Sequence, residues 1–230
     1  ATFYAHFNIV KNSETYEPIK IVRVCESLTC ELFGAQKLFN DLKRTENKNL
    51  KFVKGPCMGR CDLAPTVCVG KNYVDNATFI SVEETIKQKK FDAFIPQYTL
   101  LDIYKQNGGY EISNKIKDGE ITKEQIIISL KESGLKGKGG AGFPTGMKWE
   151  IVSKYNGKKY VAVNGDEGEP GTFKDRYYLE KDPHRFLEGA LIASLFINAS
   201  NVYIYIRDEY PAVIKILKTE IKKLENENII

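Results

Sequence analysis

Histidine, tryptophan and methionine are scarce in this sequence, and no cysteine follows Cys68. The only histidines, His6 and His184, give no histidine-rich metal site, and they leave Ser/His/Asp catalysis with little support; each is expected to be structural or exposed. No apolar run approaches the roughly 18–20 residues of a membrane span. The first twenty residues lack a basic start followed by an apolar core, so they do not read as a secretory signal. A cytoplasmic protein is therefore expected, and there cysteines serve as metal ligands or core residues more often than as disulfides. The 34 basic and 30 acidic residues leave a net charge of +4 with no patterned basic face, which gives no reason to expect nucleic acid. Repeats and low-complexity tracts are also absent.

At 230 residues, 42% hydrophobic and 11% aromatic, the chain has enough material for two modest globular domains. Its five cysteines all lie between Cys25 and Cys68. A short strand is expected at 20–24, ending at Cys25, and a helix at 31–44 with Leu32, Ala35, Leu38, Phe39 and Leu42 on one face. A strand at 50–53 follows, then the turn-rich GPCMGRCDLAP and a hairpin of 66–69 with 73–74. Ser81 with Glu84 suggests a capping box opening a helix through residue 90. This β-α-β-β-α order points to a small thioredoxin-like domain.

Cys25 and Cys30 are separated by four residues and Cys57 and Cys61 by three, both pairs at loops flanking strands. Four thiolates on adjacent loops can enclose a [2Fe-2S] cluster, and the Gly55-Pro56 and Met58-Gly59 steps would offer N–H groups to its sulfurs. Zinc uses similar spacings, so spacing alone leaves iron-sulfur, zinc and buried or redox cysteines open. VCESLTCELFGAQKL with GPCMGRCDLAPTV resembles the thioredoxin-like [2Fe-2S] subunit of respiratory complex I and of related NAD-linked formate dehydrogenases and hydrogenases. That resemblance implies that Cys25, Cys30, Cys57 and Cys61 ligate a [2Fe-2S] cluster. Cys68, mid-strand in TVCVG, matches no ligand position and reads as a small buried residue.

Residues 91–122 read as a linker whose Tyr98, Leu101 and Tyr104 dock on the next domain. Thr122 with Gln125 is a second capping box, opening a helix at 123–132 that Gly134 closes. There follows GLKGKGGAGFPTGMKW, which satisfies G-x-G-x-x-G. A dinucleotide fingerprint needs a strand before the first glycine, whereas here a helix precedes it and Pro144 follows. What remains is an anion cradle of glycine N–H groups with Lys136, Lys138 and Lys148, or simply a glycine-rich turn.

A buried strand at 159–163 leads into NGDEGEPGT, where Asp166, Glu167 and Glu169 stand beyond a strand's carboxyl end, the usual ligand position in open α/β sheets. Carboxylates there suit ribose hydroxyls and disfavour a 2′-phosphate, hence NAD over NADP. A helix at 184–197, a strand at 202–206 and a helix opening at Pro211 complete a parallel or mixed sheet flanked by helices.

GLKGKGGAGFPTGMKW, NGDEGEPGTFKDR and YIYIRDEYPA together resemble the flavin subunit of complex I and its relatives. The forms NGDEGEPGTFKDRYYLEKDPHRFLEG and IRDEYPA, fused to the cysteine domain, are most similar to the β subunit of NAD-dependent molybdenum or tungsten formate dehydrogenase. The resemblance implies FMN contacts at Gly137, Lys138, Gly139, Gly140, Lys148, Asn164, Asp166, Glu167, Tyr205 and Glu209, and NAD(H) contacts at Phe143 and Glu169. It implies FMN-mediated electron exchange between NAD(H) and iron-sulfur centres, with no side chain acting as acid or base. The expected partner is a formate dehydrogenase α subunit or another iron-sulfur subunit. The expected domains are 1–90 (thioredoxin-like), 91–122 (linker and docking segment) and 123–230 (α/β, FMN and NADH). The family continues into a further domain with a four-cysteine [4Fe-4S] motif, so the chain reads as an N-terminal portion with an incomplete flavin domain.

Overall fold

The computed structural model describes residues 20–45, 49–138 and 140–230; His6 and Gly139 lie outside them. The chain forms two compact units. The first is Ala1–Pro96 with Asp166–Tyr177 and Arg207–Lys215; the second is Gln97–Gly165, Tyr178–Ile206 and Ile216–Ile230.

In the first unit, β1 (Lys20–Cys25) leads into two short helices, α1 (Leu28–Leu32) and α2 (Ala35–Lys43), in place of the single helix expected at 31–44. The break is at Gly34, whose φ of 87° is left-handed backbone that ends one helix and starts the next. β2 (Leu50–Gly55), β3 (Val67–Val69) and β4 (Asn72–Val74) complete a four-stranded sheet in the order β2-β1-β3-β4. β1 runs parallel to β2 and antiparallel to β3, with Val22 opposite Phe52 and Val24 opposite Val67. The β-branched residues that favour strands also fill the core: Val22, Val24, Val67 and Val69 pack with Ala35, Leu38 and Leu42 of α2 and with Val82. α3 (Phe79–Lys87) opens three residues earlier than expected. Thr78 is its N-cap and Ser81 its N3 residue, each side chain bonding the other's backbone N–H at 3.1 and 2.9 Å.

The second unit begins with α4 (Leu101–Gln106) and α5 (Glu111–Lys117), helices within the segment expected to be a linker. Its aromatics are anchored there: Tyr98 donates to Glu220 at 2.7 Å and Tyr104 to Glu188 at 2.7 Å. α6 (Lys123–Glu132) has the bounds and the Thr122–Gln125 capping box read from the sequence, and Gly134 follows its end at φ 64°. α7 (Thr145–Ser153), β5 (Lys159–Gly165), α8 (Lys174–Lys181), α9 (Pro183–Ile197), β6 (Ala199–Ile206) and α10 (Pro211–Asn226) follow. β5 and β6 pair in parallel, with Asn164 opposite Tyr205. Phe196 and Ile197 of α9 pack with Ile126 of α6, Trp149 of α7 and Val161 of β5. A buried polar cluster of this unit centres on His184, at the start of α9. Its Nδ1 accepts from Tyr110 Oη at 3.0 Å and its Nε2–H donates to Glu220 at 3.0 Å, the tautomer that an ionised Glu220 selects.

Candidate cofactor sites

The first site is built from two loops of the first unit. Cys25 ends β1, Cys30 lies in α1, Cys57 follows β2 and Cys61 opens a 3-10 turn, Cys61–Leu63. The sulfurs of Cys57 and Cys61 are 3.4 Å apart. All four thiols interact in series: Cys61 with Cys57, Cys57 with Cys25, and Cys25 with Cys30. Hydrogen bonding to Cys30 pushes Cys25 up to about 11, and bonding to Cys25 pushes Cys57 up to about 12. Cys30, at the receiving end, is held below the ordinary thiol range by the bond from Cys25. Burial raises Cys61.

Among the described residues no three His, Cys, Asp or Glu side chains are grouped to chelate one metal ion. Cys30 also feels Cys57 and Cys61, so the four thiols lie near one another, and two loops each bring a pair of them. That donor set fits a binuclear centre in which each iron takes two thiolates. Cys68 stands apart: it is buried, its Sγ–H donates to Gly70 O at 3.3 Å, and burial pushes it up to about 11.

Two segments distant in sequence hold the Cys57–Cys61 loop. Arg207, 7% exposed, donates through Nη2 to Cys57 O at 2.7 Å, through Nη1 to Glu167 O at 2.9 Å and through Nε to Glu209 at 3.1 Å. Arg176, 4% exposed, donates to Gly59 O at 2.7 Å and to Asp62 at 2.8 Å. Gly59 has φ 64° and lies against Tyr210, where a Cβ would fall 2.0 Å from the hydroxyl oxygen. Tyr210 in turn donates to Glu167 Oε2 at 2.9 Å.

Glu167 is buried and left-handed at φ 44°, an unusual backbone for a residue with a side chain. Its carboxylate also accepts from the backbone N–H groups of Asp175 (2.9 Å) and Arg176 (3.1 Å), and this web of bonds holds the conformation. Of the expected flavin and nicotinamide residues, Asp166, Glu167, Glu169 and Glu209 belong to this unit; Glu169 is exposed and its carbonyl accepts from Thr172 Oγ1 at 2.6 Å. Arg176, Arg207 and Tyr210 carry no signal of their own in the sequence, although all three fall within or beside its recognised motifs.

The second site is the glycine loop of the second unit, between α6 and α7. A bridge between Lys136 and Pro144 closes its neck, with Gly137 N donating to Phe143 O at 3.0 Å and Thr145 N to Leu135 O at 2.9 Å. Gly140 and Gly142 have φ 88° and 66°, conformations that glycine adopts without strain. A Cβ at Gly137, Gly140 or Gly142 would meet nothing of the protein closer than 3.8 Å, so internal packing does not explain the glycines. They leave open space at the backbone, as a phosphate cradle requires. Lys136, Lys138 and Lys148 are exposed, and Phe143 is 49% exposed. α7 opens directly from the loop at Pro144 with no side chain capping it, which adds the partial positive charge of a helix start. Asn164 and Tyr205, paired across β5 and β6, are both exposed.

Comparison with known proteins matches both halves. Residues 1–90 match the thioredoxin-like [2Fe-2S] ferredoxin family, and residues 130–230 match the Nuo51 FMN-binding domain. The chain is 50% identical over 122 residues to an F-type subunit of the NADH-quinone oxidoreductase of Rhizobium meliloti (strain 1021), covering 53% of this chain and 29% of that one. It is 41% identical over 151 residues to the F-type subunit of the NADH-quinone oxidoreductase of Aquifex aeolicus (strain VF5), covering 66% and 35% respectively. A chain of the crystal structure of an NAD+-reducing [NiFe]-hydrogenase in the air-oxidized state has the same fold over 93% of this chain and 42% of its own, with a TM-score of 0.72 and 22% identity. The chain thus spans about a third of the length of the curated relatives that it matches. No helix among the described residues is long and apolar enough to cross a membrane.

Proposed function

We propose that this chain is the electron-entry part of an NAD(H)-linked redox complex, working as a diaphorase between nicotinamide, FMN and a [2Fe-2S] centre. The observation that carries this reading is the presence of two cofactor-type domains in one chain: four thiols linked in series in a thioredoxin-like unit, and an open glycine-lysine loop in a domain of the FMN-binding type. FMN, when bound, supplies the exchange between two-electron hydride chemistry and one-electron transfer. The protein's task is to bind and orient. The loop of Gly137, Gly139 and Gly140, with Lys138 and Lys148, holds the flavin phosphate, the Gly137 N–H being kept for the bond to Phe143 O that closes the loop's neck, while Asn164 and Tyr205 present polar groups at the ends of β5 and β6. Phe143 offers an exposed ring for stacking on the nicotinamide nucleotide, and Glu169 a carboxylate for ribose hydroxyls. Cys25, Cys30, Cys57 and Cys61 hold the cluster. Asp166 and Glu209 remain flavin-contact assignments. Glu167 has both carboxylate oxygens engaged within its own unit, so we assign it to shaping its loop.

For the parent complex we favour the β subunit of an NAD-dependent formate dehydrogenase, on the form of NGDEGEPGTFKDRYYLEKDPHRFLEG and IRDEYPA next to the cysteine domain. Formate would then be oxidised on a separate α subunit. A second reading, a subunit of an NADH-quinone oxidoreductase or of an NAD-reducing hydrogenase, is favoured by the similar proteins and by a hydrogenase chain that carries the same two folds together. The purified holo-complex decides between them. NAD+ reduction driven by formate is expected; reduction driven by hydrogen, or quinone reduction by NADH without formate activity, would replace the first reading by the second.

A further inference from the structure

The carboxylate-rich loops of the second half and the cysteine loop of the first meet at Arg207. Its three donor nitrogens point in three directions: to the carbonyl of Cys57, to the carbonyl of Glu167 and to the carboxylate of Glu209. Its guanidinium also lies 5.4 Å from the centre of the Tyr210 ring, and Tyr210 binds Glu167. Arginine stays charged when buried, so this cation sits on the backbone carbonyl of Cys57 with the half-buried Glu209 carboxylate on its Nε. Arg176 repeats the arrangement on the same loop, bridging Gly59 O and Asp62.

We infer that Arg207 is a positioning residue for the [2Fe-2S] centre: it fixes the Cys57 loop and offsets the charge of the Glu209 carboxylate, keeping the reduction potential higher than that charge would allow. The inference rests on the assignment of Cys25, Cys30, Cys57 and Cys61 as cluster ligands. Reduction adds one electron, and no proton, to a centre already negative from four thiolates. A nearby buried cation therefore stabilises the reduced form, and a nearby carboxylate destabilises it. Arg207 and Glu209 should act with opposite signs, whereas damage to packing would push both variants the same way or dissolve the centre.

The test is a dithionite titration, followed by electron paramagnetic resonance, of the 230-residue chain reconstituted with iron and sulfide. In Arg207→Gln, which keeps donors for Cys57 O but loses the charge, the reduced-to-oxidised ratio at fixed ambient potential is expected to fall about tenfold, roughly 59 mV for a one-electron couple. Arg207→Lys should recover most of that ratio, and Glu209→Gln should raise it above the wild-type value. Unchanged ratios, or shifts of the same sign in Arg207→Gln and Glu209→Gln, overturn the inference while leaving the cluster assignment standing. Should Arg207→Gln hold no cluster, Arg207→Lys and Glu209→Gln still decide: loss of the centre in both would show a packing role alone and overturn the electrostatic one. A wild-type chain with no [2Fe-2S] signal would remove the cluster assignment and this inference with it.

Discussion

Replacing Gly59 by alanine tests the contact that holds the second cysteine loop. The native φ of 64° is left-handed, which costs a residue with a Cβ about 1–2 kcal/mol more than glycine. The added Cβ would lie 2.0 Å from Tyr210 Oη and 2.6 Å from two of its ring carbons, so the ring must move. Moving it breaks the buried bond from Tyr210 to the Glu167 carboxylate, a loss of about 1.5–3 kcal/mol for a hydrogen bond to a charged group. Together these give a destabilisation of roughly 2.5–5 kcal/mol. Urea unfolding of the chain measures it, and Tyr210→Phe, which removes only the hydroxyl, should cost about 1.5–3 kcal/mol. Because both substitutions lose the same hydrogen bond, the double variant should cost less than the sum of the singles by about that amount. A cost for Gly59→Ala below about 1 kcal/mol, or strict additivity with Tyr210→Phe, would refute the reasoning.

Three further outcomes are expected. Cys57→Ser should abolish the [2Fe-2S] paramagnetic signal of the reconstituted chain while leaving flavin absorbance in place; an unchanged cluster spectrum removes Cys57 from the ligand set. Cys68 is raised by burial from 9.0 to about 11, so its contribution to stability is complete below pH 9 and is lost as pH rises toward 11, by up to about 2.7 kcal/mol. Cys68→Ala should therefore show a shallower alkaline decline in urea midpoints than wild type, and parallel pH profiles would count against that burial. His184 is lowered by burial despite Glu220 beside it, with Tyr110, Lys223 and Asp182 also facing the ring, so its contribution is present above its ordinary value of 6.5 and lost as pH falls below it. His184→Asn should flatten the acid side of the stability profile; an acid decline equal to that of wild type would contradict the assignment.

Local signals were legible in the sequence where a short motif determines them. The Thr122–Gln125 capping box located α6 to the residue, and the hairpin of β3 and β4 follows from the turn at Gly70. The spacing of four cysteines singled out thiols that the fold sets in mutual contact. Helix periodicity ran through Gly34 because the apolar face continues across it; only the left-handed backbone at that residue divides α1 from α2. The N-cap of α3 was misplaced because Ser81 suits either of two roles, and Thr78 upstream settles which. The links of Arg176 to Gly59 and of Arg207 to Cys57 join residues 117 and 150 positions apart, beyond the reach of any periodic pattern. Glu167 shows the limit most clearly. In the sequence it is one of three neighbouring carboxylates, and only the fold distinguishes the buried one from the exposed Glu169.

The central claim is that electrons from NADH reach the cysteine site through flavin. The most direct test is anaerobic addition of NADH to the 230-residue chain reconstituted with FMN, iron and sulfide, with flavin absorbance and cluster paramagnetism recorded together. The account predicts that the flavin bleaches and that a reduced [2Fe-2S] signal develops with it, and that Cys57→Ser bleaches without developing the signal. A chain that binds both cofactors yet shows no bleaching by NADH, or bleaches with the cluster left oxidised at a potential where dithionite reduces it, would contradict the claim.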